Sequence, residues 1–191
     1  MVVDLQVTTP ASGSDLQVRK LDRWFASFDT DRDGVVDVLD ITGMAQVYCE
    51  AYGVPPRSDT WRDMHRWALV MWQAIERRTG ALDPARLTRD EWVSWIGTHE
   101  YVDFILRAAI PFSQMAFSIA DADGDGRCDV YELMAAQRRS GMSEEEIHRA
   151  FARLDQDGDG YATTEDFERA HREFYFRADP AAPGNYLAGE I

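Results

Sequence analysis

Apolar residues recur three and four positions apart in several stretches of the chain. Leu21, Trp24, Phe25 and Phe28 form one such set, and Ile147, Phe151 and Leu154 another. That spacing gathers side chains on one face of a helix. Met115, Phe117 and Ile119 give a third apolar approach. Each approach runs into a polar, acidic segment: Asp29-Thr-Asp-Arg-Asp-Gly34, Asp121-Ala-Asp-Gly-Asp-Gly126 or Asp155-Gln-Asp-Gly-Asp-Gly160. Helix-compatible sequence follows each, over residues 41–52, 130–139 and 164–174. A longer amphipathic run, 58–78, predicts a further helix. Ser58 or Asp59 is its N-cap, and Trp61, Met64, Trp67, Leu69, Met71, Trp72 and Ile75 are its apolar positions. The repeating unit is helix, acidic loop, helix, and the expected fold class is all-α.

The loops carry the chemistry. Calcium takes roughly six to eight oxygen ligands in flexible geometry, and a twelve-residue loop supplies them from positions 1, 3, 5, 7, 9 and 12. Position 7 contributes a backbone carbonyl. Position 6 needs a sharp turn that glycine makes without steric cost. Gly34, Gly126 and Gly160 stand at position 6. The loop at 29–40 then offers Asp29, Asp31, Asp33, the Val35 carbonyl, Asp37 and Asp40. The loop at 121–132 offers Asp121, Asp123, Asp125, the Arg127 carbonyl, Asp129 and Glu132. The loop at 155–166 offers Asp155, Asp157, Asp159, the Tyr161 carbonyl, Thr163 and Asp166. These are EF-hand loops, and three calcium sites are expected. Glu132 is long enough to chelate through both oxygens, whereas Asp40 and Asp166 are one methylene shorter. Magnesium is therefore expected to compete at the first and last of the three loops.

Half of another hand survives between the first and second acidic loops. Leu87-Thr-Arg-Asp-Glu91 reads as positions 8 to 12. Counting back puts Gly80, Leu82, Pro84 and Ala85 at positions 1, 3, 5 and 6, where side-chain ligands and the turn glycine belong. This second hand is expected to bind no metal. Its segment is still needed, because position 8 pairs neighbouring loops, and Val36, Leu87, Cys128 and Ala162 occupy it in the four hands. The expected organisation is an N-terminal hand pair over 1–100, a C-terminal pair over 101–177 and a tail over 178–191. The tail's turn-rich Asp179-Pro-Ala-Ala-Pro-Gly-Asn precedes Tyr186, Leu187 and Ile191, which are expected to give it something to bury.

Composition narrows the function. The formal net charge of −14 disfavours nucleic acid and anionic membrane as partners and suits hard cations. Cys49 and Cys128 belong to no metal-spaced cluster and are expected as buried free thiols in a reducing compartment. The first twenty residues show no signal-peptide pattern, and apolar stretches such as 67–72 and 108–112 fit a core rather than a membrane span. A cytoplasmic monomer with no protein partner is expected. His65, His99, His148 and His171 are scattered, with no nucleophile motif or phosphate loop beside them, so no enzyme is expected.

With these residues in place, the chain resembles the sarcoplasmic calcium-binding proteins, and more closely the calerythrin-like branch found in bacteria. The resemblance rests on four hands with the second inactive, the aromatic run 61–75, Asp40 at position 12 of the first loop and the closing Asp179-Pro-Ala-Ala-Pro-Gly-Asn. It implies two hand pairs packed into one globule around an aromatic core, and a calcium buffer or transporter. Asp166 departs from the more usual Glu at its position. Two other functions compete with the buffer. One is a sensor exposing a Met-rich groove to a target, against which the dispersed Met44, Met64, Met71, Met115, Met134 and Met142 argue. The other is a photoprotein-like carrier of a small apolar ligand. Its cavity would be lined by Trp24, Trp61, Trp67, Trp72, Trp92 and Trp95 with His65 and His99, although the expected use of these side chains is a well-packed core.

Overall fold

The computed structural model describes residues 14–139 and 142–187. The first helix, α1 (Asp15–Phe28), starts where the Ser14 hydroxyl accepts the Gln17 amide, and it stops at Asp29. A two-residue strand β1 (Val35–Val36) lies inside the first acidic loop, and α2 (Val38–Ala51) leaves it. The long amphipathic run forms α3 (Asp59–Glu76), N-capped by Ser58. Met64, Ala68, Met71, Trp72 and Ile75 form its buried stripe, while Leu69 is 44% exposed. Next come β2 (Leu87–Thr88), α4 (Arg89–Trp95) and α5 (His99–Phe104). The second half holds α6 (Ile110–Ala120), β3 (Arg127–Cys128), α7 (Val130–Arg139), α8 (Glu144–Leu154), β4 (Ala162–Thr163) and α9 (Thr164–Phe176).

Loops pair two by two. Val36 faces Leu87 and Val35 faces Thr88 in one antiparallel ribbon. Cys128 faces Ala162 and Arg127 faces Thr163 in the other. Each ribbon is symmetric about position 8, so the second hand does join the first through Leu87. The α2 helix begins three residues ahead of the apolar pattern that predicted it, because Asp37 and Asp40 form a capping box that draws Val38 and Leu39 into the first turn.

A continuous helical stretch, His99–Ala120, joins the two halves, so the expected boundary at residue 100 falls within α5. By length and composition the stretch is apolar enough to cross a membrane, and it contributes Phe104, Ile105, Ala108 and Phe112 to the core. Pro111 interrupts its ladder. Proline has no N–H and its ring crowds the carbonyl four residues back. The backbone accommodates it with a wide π turn at Ile105–Ala109, in which the Ile110 amide bonds the Ile105 carbonyl. The approach α6 shows apolar residues at two-residue spacing because it is buried from two sides. Phe112, Ala116 and Ile119 join the main core, while Phe117 and Ala120 join a second cluster with Cys128, Phe151 and Phe167.

The main core is aromatic. Trp92, fully buried, stacks on Trp24 with ring centroids 4.2 Å apart and donates its Nε1–H to the Leu21 carbonyl. Trp95, Tyr101 and Phe104 pack around this pair edge-on or tilted. Phe174 and Tyr175 of α9 enter the same core, so the last helix belongs to both halves. Trp92 follows directly on Glu91, which gives the second hand a packing role beside its strand. Cys49 and Cys128 are free and buried.

The tail packs through the expected Leu187 and also through polar contacts that the apolar pattern did not show. A 3-10 turn, Pro183–Tyr186, buries Gly184 and Asn185, while Tyr186 and Leu187 stay half-buried and Ile191 lies outside the described residues. Lys20, the sole lysine, is fully buried and donates to the carbonyls of Glu173 and Arg177 and to Asn185 Oδ1. Tyr186 lies under the Arg153 guanidinium, 3.6 Å from it. Polar groups closing the end of α9 seat the tail together with Leu187, which packs against both apolar clusters.

Candidate metal centres

Positions 9 and 12 of every loop are also the N-cap and N3 residues of the following helix. This follows from the capping-box rule, because the outgoing helix begins at position 10. One carboxylate oxygen at position 12 therefore accepts the position-9 amide in each hand: Asp40 from Asp37, Glu91 from Thr88, Glu132 from Asp129 and Asp166 from Thr163. The second oxygen decides how each hand is closed. Asp40 Oδ1 accepts the Thr30 amide at 3.0 Å and its hydroxyl at 2.7 Å, and Glu132 Oε1 accepts the Ala122 amide at 3.2 Å. Both carboxylates thus fold back over position 2 of their loops.

Oxygens of Asp29, Asp31 and Asp40 lie within 4.8 Å of one another, as do those of Asp121, Asp123 and Glu132. In the last loop the corresponding group is Asp155, Asp157 and Asp159. Asp166 is turned aside. Its Oδ1 is held by Arg169 Nη2 at 2.7 Å, and Oδ2 accepts the Thr163 hydroxyl at 2.6 Å. Burial pushes the Asp166 carboxyl up, but the Thr163 bonds and Arg169 outweigh it and hold it below the usual carboxylate range.

The remaining predicted ligands are distributed as follows. Asp33 Oδ1 accepts the Val35 amide, Asp125 Oδ1 the Arg127 amide and Asp159 Oδ1 the Tyr161 amide. Asp37 and Asp129 face the first amides of their outgoing helices. Val35 and Arg127 open β1 and β3, and Tyr161 precedes β4. The donor set is all oxygen, at the positions a hard divalent cation needs, so the residues fit calcium. The first aspartate of each loop also accepts the position-6 glycine amide, Gly34, Gly126 or Gly160. Cys128 stands nearby but does not join. Burial and then the surrounding acidic groups push its thiol up, leaving it protonated and apolar in behaviour.

Arginines are what the loop pattern did not reveal. Arg86, at position 7 of the second hand, reaches Asp33 of the first at 3.4 Å. Arg127, at position 7 of the third, lies 3.8 Å from Asp159 of the fourth. Each pair thus places one cation beside the neighbouring loop's position-5 carboxylate. Arg32 adopts φ +61° at position 4, where the third and fourth loops have Gly124 and Gly158 at φ +74°. A non-glycine side chain there carries backbone strain of about 1 kcal/mol.

The molecule also holds a cavity of about 460 Å³. Trp24, Phe28, Met71, Phe112, His171 and Tyr175 are among its lining residues. This corrects the expected lining. Of the six tryptophans only Trp24 faces it, and its histidine is His171. His65 instead stacks on Trp61 at the protein's edge, and His99 borders a separate hollow near the second loop. The His171 Nδ1–H donates to the Phe167 carbonyl at 2.8 Å, which leaves Nε2 as the acceptor of a neutral ring.

Comparisons with known proteins agree with this geometry. A family model for an EF-hand domain pair matches residues 112–170, and one for a single EF hand matches residues 21–41. Calerythrin from Saccharopolyspora erythraea is 24% identical over 172 residues, covering 88% of this chain and 94% of that one. Calcium-dependent protein kinase 34 from Arabidopsis thaliana is 43% identical over 63 residues, 32% of this chain, which spans only 12% of the kinase's length. Among solved structures, a calcium-binding protein from Streptomyces coelicolor superposes with a TM-score of 0.70 at 29% identity, over 85% of this chain and 99% of that one. The photoprotein n-aequorin superposes with a TM-score of 0.77 at 16% identity, over 98% of this chain and 100% of that one, and so shares the fold.

Proposed function

We propose that this chain, a calerythrin-like EF-hand protein that binds calcium, is a cytosolic calcium buffer or transporter. Three loops carry the ions, and magnesium competes at the first and fourth hands. One observation carries the reading: the apolar helix faces are already closed on each other. Met44, Met64, Met71, Met134 and Met142 are all buried. A sensor must turn such a face outward when calcium arrives. In the closed arrangement the position-12 carboxylates of the first and third hands already stand beside their loops, so an ion can enter with little movement of helices. The Streptomyces coelicolor protein is described in terms of calcium-mediated regulation, so the sensor reading is the one to test against.

The cavity favours a second reading, a carrier of a small apolar ligand. Its volume lies in the usual range for ligand pockets, roughly 300–1,000 Å³. Trp24, Phe28, Phe112 and Tyr175 line it beside the polar Asp29 and Arg32, and the neutral His171 suits an aromatic molecule bearing a hydrogen-bond donor.

A single titration separates these. Chelator-treated protein is titrated with calcium, with and without excess magnesium, in the presence of an environment-sensitive apolar dye. The buffer predicts three bound ions, magnesium competition at two of them and dye emission that calcium leaves unchanged. Emission that rises with calcium sinks the buffer in favour of a sensor. One dye per chain, bound at every calcium level, supports the carrier.

A further inference from the structure

We propose that the Arg78 guanidinium is the resident cation of the second hand, and that it positions that hand to brace the first calcium loop. Arg78 lies two residues before position 1 of the inactive loop, and its side chain is almost wholly buried. Nη2 donates to the Arg86 carbonyl at 2.5 Å and lies 3.2 Å from Glu91 Oε1. Those are positions 7 and 12, the backbone and carboxylate oxygens that face the ion in a working hand. Nη2 also reaches the Asp83 carbonyl at 3.4 Å, and Nη1 donates to the Ile75 carbonyl at 3.0 Å. Capping α3 explains the bond to Ile75. It does not explain why the other arm of the fork reaches into the loop to positions 4, 7 and 12.

The charges match. Gly80, Leu82 and Pro84 bring no carboxylate at positions 1, 3 and 5, so Glu91 is the one acid at the ligand positions of this loop, and one guanidinium matches it. Removing either member of such a pair leaves the other uncompensated. Burial pushes the Glu91 carboxyl up, but the Thr88 and Leu82 bonds and the Arg78 charge bring it down to about 2, so the pair stays ionised.

The consequence falls on the first hand. Holding the Arg86 carbonyl fixes the segment that follows. Leu87 and Thr88 pair with Val36 and Val35, and Val35 supplies the carbonyl ligand of the first loop. The Arg86 side chain meets Asp33, its position-5 ligand. A pair of working hands must order both loops with two ions. Here one loop is ordered from within, and calcium has only the other to organise.

The test uses the full chain with Arg78→Ala. The backbone amides of Gly34, Gly126 and Gly160 each bond the first aspartate of their own loop, so magnetic resonance reads each site separately during a calcium titration. The variant is expected to weaken the Gly34 site about five- to a hundredfold, the usual span of coupling between sites. The Gly126 and Gly160 sites are expected to hold. Added guanidinium chloride, but not equal sodium chloride, is expected to restore the Gly34 site by filling the vacated position. An unchanged Gly34 site, equal weakening at all three, or no difference between the two salts overturns the proposal. Should Arg78→Ala not fold, the isosteric Glu91→Gln removes the partner instead, and a Gly34 site it leaves intact is equally fatal. A Gly34 amide that ignores calcium in the parent chain overturns the three-site reading, which is a distinguishable failure.

Discussion

One oxygen of every position-12 carboxylate is committed to its helix N-terminus. What differs among the hands is the freedom of the second oxygen. Asp40 places it over Thr30 and Glu132 over Ala122, while Asp166 surrenders it to Arg169 three residues along its own helix. Side-chain length is thus a poor guide on its own, because Asp40 and Asp166 are chemically identical and face different ways. The fourth hand is expected to be the weakest of the three. Asp166→Glu extends the carboxylate beyond the Arg169 fork and should tighten the fourth site by roughly three- to thirtyfold, the worth of one charge-assisted contact. Arg169→Gln should tighten it by less, since the short Asp166 stays in place. Calorimetry on the two variants decides, and an unchanged or weaker fourth site in Asp166→Glu would show that reach is not the limit.

The elements divide into those legible in the chain and those that are not. The three acidic loops, the Ser58 cap of α3 and the pairing of Leu87 with Val36 could be read directly, because each depends on residues close together or on a repeat in register. The π turn before Pro111 and the polar seat of the tail could not. Lys20 meets Asn185 across 165 positions, and no periodicity announces such a contact. Burial brings the Lys20 ammonium down to about 8, and three acceptors surround it. That is a fit for a compact ammonium with three donors rather than a planar guanidinium. The turn is held equally closely at Gly184, whose amide donates to Glu173 Oε2. A Cβ there would come within 2.2 Å of the Ala170 carbonyl oxygen, so a side chain must lift the turn off α9. Gly184→Val is therefore expected to speed proteolytic cleavage after residue 177 and to lower the melting temperature by roughly 4–8 °C, equivalent to about 2 kcal/mol. Its calcium stoichiometry should match the parent. A tail as protected as before would mean that Lys20 and Asn185 seat it without the close approach.

At the scale of the whole molecule the two halves meet at α9, which sends Phe174 and Tyr175 into the N-terminal aromatic core and Phe167 into the C-terminal cluster. His171 lies between these contacts. Its ring is flanked by Phe167 and Tyr175, and burial drives its basicity down to about 4. In the unfolded chain the same imidazole titrates near its ordinary value of 6.5. Between those values the unfolded chain takes up a proton that the folded one refuses, so stability falls as pH falls through the window and the loss is complete near pH 4. At pH 5 it amounts to about 2 kcal/mol, from 1.36 kcal/mol per pKa unit. Other groups that titrate in this range also shape a bare pH profile. The difference between two chains cancels that contribution. With chelator present, denaturant unfolding at pH 7 and pH 5 should show the parent losing about 2 kcal/mol more than His171→Gln. Parallel losses would mean that the imidazole is protonated in the folded state, with the cavity admitting enough water to hold the charge. The same result would weaken the case for an apolar ligand there.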